Sequence, residues 1–121
     1  MMQIIWSERA FVRRQAIEDY ILYSFGFAAH TDYVKAVDEW KQMVVTNPNI
    51  GKIEPLLTGM RKEYRSSVIS KLTKCIYYIE SDFIVIVFFL CLCLLNDLVL
   101  KGMRLIGKKY LEIYLQVVFS N

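Results

Sequence analysis

The chain reads as one α+β domain: an N-terminal strand, an antiparallel helical hairpin, then a three-stranded antiparallel run that completes one small sheet with the hairpin on one face. Three observations predict this. Apolar residues recur at helical spacing between residues 8 and 46. From residue 63 onward the pattern changes to β-rich runs separated by a turn. A length of 121 residues, 55% hydrophobic and 22% charged, supports one modest core and excludes disorder.

"QIIWS" at 3–7 is a short β-type run, and Ser7 is placed to cap the helix that follows. The first helix is expected over Glu8–Phe25. Ala10, Ile17, Ile21 and Phe25 form its apolar face, and Arg13, Arg14, Glu18 and Asp19 lie between them. Gly26 is the expected stop. A second helix is expected over Ala28–Thr46, with Tyr33, Val37, Trp40 and Val44 on one face. So short a link predicts an antiparallel hairpin. "NPNIG" at 47–51 ends it, because Pro48 cannot continue a helix and Gly51 allows a tight turn. The runs "EYRSSVIS" (63–70), "TKCIYYIE" (73–80) and "DFIVIVFFL" (82–90) are the three strands, with Glu80-Ser81-Asp82 turning between the last two.

Net charge is +3, unevenly spread. Residues 1–60 carry six Lys/Arg and seven Asp/Glu, whereas 61–121 carry nine and five. The basic second half points to an anionic partner, or to a solvated basic surface. Arg61, Lys62, Arg65, Lys71 and Lys74 are its candidate contacts for nucleic acid or another target. Three cysteines (Cys75, Cys91, Cys93) without a secretory signal predict a reducing cytoplasm and not a disulfide framework. Cys91, Cys93, Cys75 and the lone His30 do not make the two close ligand pairs of a structural zinc site. Neither metal nor cofactor is expected.

Taken in order, "W-S" at 6–7, "IEDYILYSFG", "NPNIG" and Tyr-Arg before paired strands resemble the RelE/ParE superfamily of bacterial toxins, most closely its ParE-like and plasmid-stabilisation branch. The resemblance spans about residues 3–90. It implies a growth-inhibiting toxin of a type II toxin–antitoxin pair, held by a cognate antitoxin that presents apolar and acidic residues. ParE-like members poison DNA gyrase without nuclease chemistry, and RelE-like members cut mRNA on the ribosome.

RNA cleavage by the 2′-OH needs proton transfer and stabilisation of a developing phosphorane charge. The resemblance places Arg65 where RelE-like toxins carry a basic residue, and Lys74 where an Arg precedes the next strand. These two are the catalytic candidates if the chain is a ribonuclease. Ser67 stands where a second Lys would be, and "CLCLLN" at 91–96 has neither the C-terminal Arg nor the Tyr. Enzyme chemistry is therefore left open. Binding to a target such as gyrase is the first reading, ribosome-dependent mRNA cleavage the second, and a degenerate inactive relative the third. Of the adjacent Tyr77 and Tyr78, one must point inward in a regular strand; either can stack on a base.

Residues 83–95 form an apolar run of 13, shorter than the roughly 20 residues of a membrane span. Asn96-Asp97 interrupts it, so membrane insertion is not expected. The reading therefore divides the chain into a toxin-like domain at 1–90 and an atypical tail at 91–121, helical by spacing but weakened by Gly102 and Gly107. The abrupt composition shift after about Val87 has the character of an out-of-frame 3′ end.

Overall fold

The computed structural model describes residues 2–70 and 73–91. Along the chain, β1 (Gln3–Trp6) leads into α1 (Glu8–Phe25) and α2 (Phe27–Thr46). A two-residue β2 (Lys52–Ile53), a 3-10 turn (Pro55–Leu57), β3 (Arg65–Ile69), β4 (Thr73–Glu80) and β5 (Phe83–Cys91) follow.

Ser7 starts α1 in the expected way. Its hydroxyl accepts from the Ala10 N–H at 3.1 Å and donates to the Val87 carbonyl at 3.2 Å, so one side chain caps the helix and ties it to β5. Ser7→Ala is expected to cost about 1–2 kcal/mol. Urea denaturation checks this, and an unchanged midpoint would show that water replaces both bonds. Gly26, at φ +95°, donates to the Leu22 carbonyl and accepts from the His30 N–H. One left-handed glycine therefore ends α1 and opens α2, and α2 begins one residue before the expected Ala28.

Among the described residues five strands form one sheet in the order β1-β5-β4-β3-β2. Only the β1–β5 pair is parallel; the hairpin forms its crossover and lies over one face. The predicted runs hold, with β3 trimmed to 65–69 and β5 shifted to 83–91. β2 and the 3-10 turn carry no periodic signal, because two residues cannot show alternation.

The α2 face is buried as predicted at Tyr33, Val37, Trp40 and Val44. On α1, Ala10, Ile17 and Ile21 are buried, but Phe25, the last residue of the helix, is 58% exposed. These residues meet Cys75, Tyr77, Ile84, Ile86 and Phe89 in the main core. Tyr33 also hydrogen-bonds Thr73 through their hydroxyls at 2.7 Å.

A bulge in β5 serves both faces. Tyr77 pairs with Ile86 but Ile76 pairs with Phe88, leaving Val87 as the extra residue. Phe88 is thereby turned to the face away from the helices. There Leu57, Ile76 and Phe88 form a second, smaller core under the 3-10 turn. Arg13 reaches this side from α1, its guanidinium carbon 5.6 Å from the centre of the Phe88 ring. Cys91, the first residue of the expected tail, ends β5, and the rest of the tail, Cys93 included, lies outside the described residues. Among the described residues no helix is long and apolar enough to cross a membrane.

Candidate functional site

The candidate residues fall on two faces of the sheet. Strand register assigns them: Arg65 pairs with Tyr77, whereas Val68 pairs with Lys74 and Ser66 with Ile76. Directly paired residues share a face. Arg65 and Tyr77 therefore face the hairpin side, and Lys74, Ser66 and Ile76 face the other. The two catalytic candidates are not brought together.

Arg65 braces the loop after α2. It donates to the Gly51 carbonyl at 2.8 Å and stands 3.5 Å from the Glu63 carboxylate. Beside it, the Tyr77 hydroxyl accepts from the Gly51 N–H at 2.9 Å and donates to the Pro48 carbonyl at 2.8 Å. Tyr77 is thus the inward member of its pair, fully buried and edge-on to Trp40 at 5.8 Å. Burial raises its phenol above the ordinary range, against the Gly51 amide and the Arg65 charge.

Lys74 is engaged by a residue that sequence reasoning missed. Its ammonium lies 2.6 Å from the carboxylate of Glu54, which is 1% exposed. Burial alone would push the Glu54 carboxyl up. The Lys74 ammonium, the nearby Ser66 hydroxyl and the Leu56 amide outweigh it and hold the group below its usual range. Ser66 is close enough to favour the charged form but makes no well-aligned hydrogen bond. Glu54 also accepts from the Leu56 N–H at 3.3 Å, so it caps the 3-10 turn that covers the second core. The only sequence signal was an acidic residue before Pro55 at the start of that turn.

Further along the same face, Tyr64 and Tyr78 meet edge to face at 5.9 Å. The Lys62 ammonium sits 5.0 Å from the Tyr78 ring centre and 2.8 Å from Glu80. The Glu80 carboxylate holds Lys62 above its ordinary range. Arg61 is exposed next to it. Lys62, Tyr64 and Tyr78 thus make an aromatic patch with an ammonium on it, and exposed Arg61 adjoins it in the chain, a combination suited to a polyanion with flat groups. Lys71, the remaining candidate contact, lies outside the described residues.

His30 is half-buried in the first turn of α2, on a shallow groove of about 510 Å³ shared with Val34, Asp38 and Gln42. Cys75 is enclosed in the main core, which pushes its thiol well up and leaves it inert. Among the described residues no three His, Cys, Asp or Glu side chains stand together as metal ligands.

No protein-family model and no curated protein matches the sequence. A solved structure does: a chain of a chromosomal ParDE TA system from P. aeruginosa aligns with a TM-score of 0.60 at 17% identity, covering 75% of this chain and 96% of that one. At that identity the likeness is one of architecture, and the strand, helical hairpin and antiparallel sheet described above form a RelE/ParE-like fold.

Proposed function

We propose that this chain is the toxin component of a bacterial type II toxin–antitoxin pair, acting in the cytoplasm by binding a macromolecular target such as DNA gyrase. A cognate antitoxin neutralises it in a heteromeric complex. The fold likeness to a ParDE chain supports the class. One observation carries the choice of binding over cleavage: Lys74 is neutralised by buried Glu54 while Arg65 projects from the opposite face. A 2′-OH cleavage site needs cations converging on one phosphate, and these two do not converge. The Arg61, Lys62, Tyr64 and Tyr78 patch is the proposed contact surface, with Arg65 in a bracing role.

Tightly controlled induction of the full chain without antitoxin is expected to arrest bacterial growth. Purified protein should then inhibit gyrase supercoiling and leave ribosome-bound mRNA intact. Cleaved mRNA would establish the ribonuclease reading through Arg65 and Lys74. Normal growth with folded, soluble protein present would establish the inactive relative.

A further inference from the structure

A groove of about 600 Å³ opens where β2 stops and β3 continues, lined by Trp40, Met43, Ile50, Lys52, Ser66 and Lys74, among others. Its composition is unusual for a sheet edge. Two lysines contribute to one wall, and Lys52 is exposed to an incoming group. Among the described residues the indole N–H of Trp40, 4% exposed, has no hydrogen-bond partner, and the hydroxyl of Ser66, 3% exposed, stands beside the Glu54 carboxylate without a well-aligned bond. Buried donors of this kind are rare and ask for an acceptor. Trp40, Met43 and Ile50 add an apolar wall.

We propose that this groove binds the phosphate group of a nucleotide, an assignment that stands apart from the toxin reading. Lys52 supplies the accessible charge. Ser66 and Lys74 lie deeper, where the Glu54 carboxylate already occupies the Lys74 ammonium. Glu54 therefore acts as an internal competitor: a carboxylate offers the same anionic oxygens that a phosphate would. The three charged groups sum to +1, which matches a phosphate monoanion or one backbone phosphodiester. The apolar wall accommodates the base.

The test is a titration of the full chain with a nucleoside monophosphate, followed by Trp40 fluorescence in a Trp6→Phe background, the chain having two tryptophans. Saturable binding is expected, with none for the nucleoside lacking phosphate. Lys52→Ala, a surface change, should weaken binding about tenfold, the scale of one lost charge contact. Glu54→Gln, shown folded by circular dichroism, should tighten it about tenfold by releasing Lys74. A short single-stranded oligonucleotide titrated in parallel tells a backbone source of phosphate from a free nucleotide, and Lys52-dependent binding of either supports the site. Equal binding of nucleoside and monophosphate, affinity unchanged in Lys52→Ala, or no saturation by any of these ligands would overturn it. The Lys52→Ala result decides the matter even if Glu54→Gln does not fold.

Discussion

Lys74→Met is expected to destabilise the protein by about 3–5 kcal/mol at neutral pH, because it strands a buried charge. Glu54 is 1% exposed and its main compensation is the Lys74 ammonium at 2.6 Å. Without that partner, desolvation dominates and the carboxyl must either stay charged at high cost or take up a proton. The pH dependence has a definite sign. In the native chain the Glu54 carboxyl is held below its ordinary value, so its contribution is present above the unfolded-state value and is lost as pH falls through the folded one. In Lys74→Met the carboxyl is raised instead. Its penalty is then absent in acid and grows as pH rises. The gap between the two proteins should therefore narrow on acidification toward about pH 4, near the reference carboxyl range. Urea denaturation at the two pH values measures this. A Glu54→Gln, Lys74→Met double variant should recover most of the loss, since no buried charge remains. A pH-independent difference below about 1 kcal/mol would mean that water screens the pair as it does on a surface.

Gly51→Ala should cost about 2–4 kcal/mol, combining overpacking with lost hydrogen bonds. A Cβ at Gly51 would lie 2.6 Å from the Tyr77 hydroxyl, 2.8 Å from its ring and 2.9 Å from the Ser66 carbonyl. The last of these is β3 backbone and does not yield cheaply. Moving the Tyr77 ring would break its bonds to Gly51 and Pro48 and disturb its packing on Trp40. Tyr77→Phe, which keeps the ring but leaves the Gly51 N–H and Pro48 carbonyl without this partner, should cost about 1–3 kcal/mol. Thermal unfolding orders the three proteins. Wild-type stability in Gly51→Ala would show that the 47–51 loop moves aside freely.

Arg65 belongs to the same cluster, which bears on how its substitution is read. Arg65→Ala removes the bond to the Gly51 carbonyl as well as a positive charge. Loss of toxicity in that variant assigns a target contact only if its stability is unchanged. Arg61 is the cleaner probe, since it is exposed, whereas Lys62, also exposed, holds the Glu80 carboxylate.

The sequence by itself determined the elements whose signal is local. Helical spacing set α1 and α2 to within a residue, Ser7 and Gly26 marked their ends, and the β-rich runs located β3 to β5. Those signals need only a few neighbouring residues, because capping and periodicity act over one or two turns. Together with the order of the runs, they were enough for the fold class. Tertiary structure decided the rest. The Val87 bulge, which depends on pairing between β4 and β5, put Phe88 opposite Ile76 in the second core while Ile86 stayed opposite Tyr77 in the main one. The same pairing logic separated Arg65 from Lys74. Gly51, read as a turn glycine, is required by the approach of a tyrosine 26 residues away. Glu54, an isolated acid in a loop, became the partner of Lys74 only when the 3-10 turn folded over the sheet. Charge neutralisation and the facing of side chains arise from residues distant in sequence, so a candidate list read along the chain names the cations but not which of them a partner can still reach.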